Sequence, residues 1–358
     1  MSLMRRKHPA RAPLPPLLCR WDLDKTYLRS EFDTLRQLWR TARETGADKI
    51  EVPGVADVIK GLRSAADRRE RPVAIHFISA SPPQIGKAIR DKLALDGVPY
   101  DGIVFKDQLQ HIARGRFKHL REHVGFKLAE LLRGRQGSAP GTRELLFGDD
   151  WESDPLTYSL YADIVAGRLP PDRLAPILTR IGVDPLAVPA VLALAEEVGG
   201  AEGVQRIFIN LERRTPLATF QLFGPRLVPA FNYFQTAIVL AADGLLDSED
   251  VARVARTLLD RSGFTPRRLD NSLADLLRRN LVSLDAARAL SDPLRTDGLL
   301  PAATRRRGQW LERVRTRMRR LRRRAVPESP QTGPLDYDAI LDRFRPAKHA
   351  AADAGAAS

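Results

Sequence analysis

From Leu17 to Leu169 short apolar runs alternate with stretches of helical periodicity, and a chain patterned this way has few folds open to it besides a parallel sheet with helical crossovers. PLLCRWDLD reads as a first strand ending at its acidic residues, VAIHFIS as a second ending at Ser79, DGIVF as a short third and RELLFGDD as a fourth. ADIVAG reads as a fifth. Between them, EFDTLRQLWRTAR places Phe32, Leu35, Leu38 and Trp39 on one face, VADVIKGLR follows Pro53-Gly54, PPQIGKAIRDKLALDG stops at Gly97, and FKLAELLRG ends at Gly134. The expected fold class is α/β, with a doubly wound parallel sheet over 17–169. Beyond Pro170 the strand signals stop. PDRLAPILTRI, PLAVPAVLALAEEV, GVQRIFINLERR, VPAFNYFQTAIVLAADGLL, SEDVARVARTLLDRSG and TPRRLDNSLADLLRRN read as successive helices, so an all-α domain is expected over 170–300.

The length of 358 residues suits roughly two or three domains, and 43% hydrophobic against 28% charged residues is an ordinary globular balance. The net charge of +14 is not ordinary, but its excess is local: eleven arginines between Arg305 and Arg324 face one acid, Glu312. Nucleic-acid binding therefore does not follow from the overall charge. Cys19 is the one cysteine, which excludes an intrachain disulfide and reads as a buried structural thiol. The proline-rich basic arm 1–16 lacks the apolar stretch of a signal peptide, and the tail 326–358 reads as mostly disordered apart from a short helix in YDAILDRF. The uncharged run Leu227 to Ala242 contains Asn232, Tyr233, Gln235 and Thr236, which suits a buried helix better than a membrane span. A cytoplasmic protein is expected.

In open parallel sheets ligands bind outside the carboxyl ends of the strands, and Asp22, Ser79 and Asp149 all fall there. Catalysis of phosphoryl transfer is largely positioning and charge neutralisation, and the required groups are present in order. Asp22 can attack phosphorus as a nucleophile, and Asp24, two residues on, can act as acid and then base. Thr26 ties the turn. Carboxylates this close repel unless a cation sits between them; Asp149 adds a third oxygen, and Asp154, with Asp150 as its competitor, completes a set suited to Mg2+. Ser79 can bind phosphate oxygens while Lys127 offsets charge beside Asp22. Singly, each has a structural reading: a helix cap, a turn, a solvated lysine. The ordered set favours chemistry.

DLDKT, Ser79, Lys127 and GDDWESD resemble the four motifs of the haloacid-dehalogenase-like (HAD) phosphohydrolases, with the GDxxxxD form matching Asp149 and Asp154. Within that superfamily VPGVADVIKGL, ISASPP and LDGVPYDGIVFKDQL are similar to the catalytic domain of actin-patch-type phosphatidate phosphatases, over about residues 17 to 169. The resemblance implies a Rossmannoid core with a minimal cap and Mg2+-dependent dephosphorylation of phosphatidate or a related phospholipid monoester, with Asp22 as nucleophile and Asp24 as acid/base. The chain departs from that pattern at Lys25, Pro83 and Asp150-Trp151. Other readings are a phosphatase for a nucleotide, nucleic-acid end or phosphoprotein, and a non-catalytic membrane- or nucleic-acid-binding adaptor. The Asp22 and Asp24 pair counts against the adaptor, which has no need of both.

Helical projection over 309–325, within the basic helix expected at 301–325, gathers Trp310, Leu321, Val314, Met318 and Leu311 into an arc of about 100°. Arginines, among them Arg313, Arg317, Arg320 and Arg324, fill the remainder, as in an interfacial helix on anionic lipid. A solvated face and nonspecific nucleic-acid binding are the alternatives. HLREH at His119 to His123 matches a zinc-peptidase pattern but has no further acidic ligand, and DGLLDSED suits a helix cap better than a calcium loop. Replacing Arg313, Arg317, Arg320 and Arg324 by glutamine should abolish cosedimentation with phosphatidate-containing vesicles, each arginine contributing about 1 kcal/mol at such a surface; undiminished binding would remove the membrane role.

Overall fold

The computed structural model describes residues 15–28, 51–79, 81, 83–106, 119–151, 153–200, 202–302 and 333–343, and of 119–123 the backbone only. The helix expected in 31–43, the basic stretch 309–325 with Trp310, Arg313, Arg317, Arg320 and Arg324, and the arm before residue 15 lie outside these residues.

Strands β1 (Leu17–Asp22), β2 (Val73–Ser79), β3 (Gly102–Phe105), β4 (Arg143–Asp149), β5 (Val204–Asn210) and β6 (Leu227–Ala230) form one sheet in the order β3-β2-β1-β4-β5-β6, every neighbouring pair parallel. Between and after them run helices α1 (Val55–Arg68), α2 (Gly86–Leu95), α3 (His119–Gln136), α4 (Asp154–Val165), α5 (Pro171–Ile181), α6 (Val188–Val198), α7 (Tyr233–Ala242), α8 (Ser248–Arg261), α9 (Pro266–Arg278), α10 (Leu284–Thr296) and α11 (Tyr337–Arg343). Alternation along the strands divides the core between the two faces. Cys19, Trp21, Ile75, Phe77, Leu145 and Phe147 pack with α1, α2 and α7 to α10, whereas Ile78, Leu146, Ile207 and Ile209 pack with α3 to α6 and α11. The expected α/β class with a doubly wound parallel sheet is therefore what forms, and each of the first four strands lies where the sequence places it.

The stretch 170–300, expected to be an all-α domain, instead contributes β5 and β6 to the same sheet, and α7 to α10 to the core under β1, β2 and β4. The misreading has a physical origin. Val204, Ile207, Phe208 and Leu211 follow helical spacing, yet in a strand buried on both faces that pattern carries no information, because both parities are apolar. ADIVAG errs in the opposite sense: it ends α4, whose twelve residues are all buried, so no polar face reveals its period. Pro155 at the first turn is the helix signal in the sequence.

Smaller expectations hold. Cys19 is buried, and burial pushes its thiol up to about 12. Asp247 and Asp250 form a capping box at the start of α8. The tail 326–358 includes α11, held where Asp163 accepts from the Tyr337 hydroxyl and the Leu335 amide, both at 2.8 Å. Among the described residues no helix is long and apolar enough to cross a membrane.

One row of aromatic side chains crosses the sheet. Phe77 pairs with Trp21, Trp21 with Phe147 and Phe147 with Phe208 in register, and the Trp21 and Phe147 rings stack at 3.7 Å. Phe147→Ala should cost about 3–5 kcal/mol in urea denaturation, far more than substitution of a half-buried residue on α5.

Candidate active site

The strand order reverses between β1 and β4, where the connection from β1 leads to one side of the sheet and β4 starts the other. In open parallel sheets such a switch point, outside the carboxyl ends of the strands, is where ligands bind. Asp22 ends β1 and Asp149 ends β4. Asp154, in the first turn of α4, returns toward them, so that carboxylate oxygens of Asp22, Asp149 and Asp154 lie within 4.8 Å of one another, all buried. Lys127, buried on α3, reaches both ends of this group, with Nζ 2.8 Å from Asp22 Oδ1 and 2.6 Å from Asp154 Oδ1. The Thr26 hydroxyl lies 3.4 Å from Asp22 Oδ2 and 3.5 Å from Asp149 Oδ2, between the two strand-end acids.

Asp24 is placed differently from the expected metal set. Its Oδ2 accepts from the Ser79 hydroxyl at 2.9 Å and the Ser81 hydroxyl at 2.8 Å, while the Ser81 amide donates to Ser79 Oγ at 3.0 Å. Asp24 and Ser79 therefore meet each other at the β1 and β2 ends, and Ser79, expected to hold phosphate oxygens, orients Asp24. Asp150 is a correction. It is turned away from the three gathered acids and accepts the amides of Arg213 and Thr215, both at 2.9 Å, fixing the loop after β5.

Gly148 is what admits Asp154. A methyl group at that position would stand 2.4 Å from Asp154 Oδ2 and 2.6 Å from its Cβ, so no side chain fits between β4 and the start of α4. Asp154 also accepts the Asp149 amide at 3.3 Å, and Asp149 accepts the Trp151 amide. Tyr158, one turn further along α4, donates to the Phe147 carbonyl at 3.2 Å, and burial pushes its phenol well up, so it remains neutral beside the acids. Tyr233, at the start of α7, donates to the Thr26 carbonyl at 2.9 Å and is likewise pushed up by burial.

Ser81 and Tyr233 were not singled out in the sequence. Ser81 had a signal, its place in ISASPP two residues beyond Ser79; Tyr233 had none, because its partner is 207 positions away.

The donor set suits a hard divalent cation. Three buried carboxylates supply oxygen only, with neither sulfur nor imidazole in the cluster, which is the ligand chemistry that Mg2+ prefers. Compared with known protein families, curated proteins and solved structures, the chain matches none. Fold and site thus define an α/β protein with a doubly wound parallel sheet and a buried acid-lysine cluster at its switch point.

Gly148→Ala should destabilise the protein by about 1–3 kcal/mol, because Asp154 cannot give way without moving α4. Gly137→Ala, with nothing within 4 Å, should stay within about 0.5 kcal/mol in the same denaturant titration.

Proposed function

We propose that this chain is a Mg2+-dependent phosphomonoester hydrolase that works through an aspartyl-phosphate on Asp22. What carries the proposal is the meeting of Asp22, Asp149 and Asp154 with Lys127 at the open end of the sheet, beside a separately held Asp24. Gathering three buried carboxylates around one ammonium is costly for a scaffold alone, and their place at the strand ends of a parallel sheet is where ligands bind.

An Asp22 oxygen attacks phosphorus, the ester P–O bond breaks, and the leaving alkoxide takes its proton from Asp24. Asp24, now ionised, removes a proton from water, which attacks phosphorus in turn; the acyl-phosphate P–O bond breaks, freeing phosphate and restoring Asp22. Ser79 and Ser81 hold Asp24 in place for both proton transfers. Thr26 and Lys127 keep Asp22 oriented and offset charge on the transferring group. Bound Mg2+ would be held by Asp22, Asp149 and Asp154 and would neutralise phosphate charge. The ordered motif set is what favours a haloacid-dehalogenase-like assignment, with which the doubly wound sheet is compatible, and the same resemblance makes phosphatidate or a related phospholipid monoester the leading substrate, with 309–325 as contact to an anionic membrane.

Phosphate release from phosphatidate in mixed micelles with Mg2+ tests this directly. Asp22→Asn should fall to background, Asp24→Asn should lose roughly a hundredfold or more, and Mg2+ at a hundred times its Kd should stabilise wild type by about 2.7 kcal/mol but not Asp149→Asn. An Asp22→Asn protein as active as wild type would end the proposal.

A further inference from the structure

Lys25, Trp151 and Arg213 have no part in the steps above, yet three consecutive strand ends deliver them to one place. Lys25 follows β1, Trp151 follows β4 and Arg213 follows β5, and these strands are neighbours in the sheet. Lys25 Nζ lies 4.4 Å from the centre of the Trp151 ring, and Arg213 Cζ 4.8 Å from it. A contact from a residue after β1 to one after β4 bridges the two strand ends that carry Asp22 and Asp149.

The backbone holds each member there. The Trp151 amide donates to Asp149, and Asp150 accepts the amides of Arg213 and Thr215. Lys25 has a φ of +63° and Arg214 one of +58°, left-handed conformations that side-chain-bearing residues adopt at a cost and that cluster at functional sites. The Trp151 ring is exposed and both cations are half-buried. Among the described residues neither Lys25 nor Arg213 forms an ion pair with a carboxylate, in a chain whose other half-buried arginines commonly do. Two like charges drawn to one indole repel each other, and an anion placed between them relieves that repulsion.

We infer that Lys25, Trp151 and Arg213 form a leaving-group subsite for a second phosphate, so that the preferred substrates are phosphomonoesters carrying another phosphate near the one removed. This rests on the hydrolase proposal and narrows it. The scissile phosphate sits against Lys127 and the acids, and the second meets the two cations. A phospholipid with a further phosphate and a soluble bisphosphate present the same chemistry. Phosphatidate, with one phosphate, uses the subsite least.

The experiment compares kcat/KM with Mg2+ for phenyl phosphate, a nucleoside bisphosphate, and phosphatidate with and without a second phosphate in mixed micelles. Wild type should prefer the doubly phosphorylated member of each pair, and the pair with the larger preference identifies the soluble or lipid source. In Lys25→Ala and Arg213→Ala that preference should fall about tenfold, through KM rather than kcat, while Arg213→Lys retains most of it. On Asp22→Asn protein, which cannot turn over, the affinity for the nucleoside bisphosphate in calorimetry should fall by the same factor. If the alanine variants lower both members of a pair in parallel, or neither, the cations only offset the acids and the subsite is refuted while the hydrolase stands. If wild type releases phosphate from none of the four, the hydrolase proposal fails and takes the subsite with it.

Discussion

The stack of Trp21 on Phe147 joins β1 to β4 one residue short of Asp22 and Gly148, and through that pairing it fixes the relative height of the two strand ends that carry Asp22 and Asp149. A slip of one residue in a parallel pair would send every side chain beyond it to the other face. Asp22 would then point toward α1, away from Lys127, and Gly148 would no longer lie where Asp154 needs room. Phe208 and Phe77 extend the row to β5 and β2. The register of the strand ends is thus set by hydrocarbon packed behind them. Burial of four aromatic rings there is worth several times the net value of any one hydrogen bond at the site.

Beyond β1 the chain must turn sharply while still presenting Asp24, and local hydrogen bonds carry that turn: the Tyr27 and Leu28 amides both donate to the Leu23 carbonyl, and the Lys25 amide to Leu28. Tyr233 clamps the turn from α7 through the Thr26 carbonyl. The helices after β6 therefore do more than cover the sheet. They pack under β1 and hold the loop that carries the second carboxylate, so residues 233–300 support the candidate site although none supplies an acid to it. This explains why a stretch that reads as an independent helical unit folds against the strands of the first half.

Strand ends bearing Asp22, Ser79 and Asp149 were legible because each follows an apolar run long enough to cross the sheet and short enough not to be a helix. Lys127 and Asp154 were legible only through the motif set, since nothing in the spacing of FKLAELLRG says that its lysine faces inward. Three things were beyond local pattern. The strand character of Val204–Asn210 was masked by burial of both faces, the direction of Asp150 depends on a loop some 60 residues later, and Asp24 answers to serines at the end of another strand. In each case the deciding partner is distant in sequence, where periodicity carries no signal.

The way this chain pairs its buried and half-buried acids separates scaffold from the candidate site. Glu144 is met by Arg20 and Arg135, each at 2.9 Å, and by the Tyr161 hydroxyl; Asp163 by Arg168; Asp243 by both ends of the Arg206 fork; Asp270 by Arg295. Guanidinium is planar, permanently charged and fitted to saturate a carboxylate, which suits an acid whose task is to stay put. Asp22 and Asp154 meet an ammonium instead. Lys127 touches one oxygen of each, and their second oxygens turn to a hydroxyl and a backbone amide, donors that shift by a few tenths of an ångström without breaking a planar pair. In a protein so rich in arginine, a lysine at this point is a choice of geometry over strength. A rotatable ammonium holds one oxygen of each carboxylate without locking it into a planar pair, which is the freedom the proposed reaction would require of them.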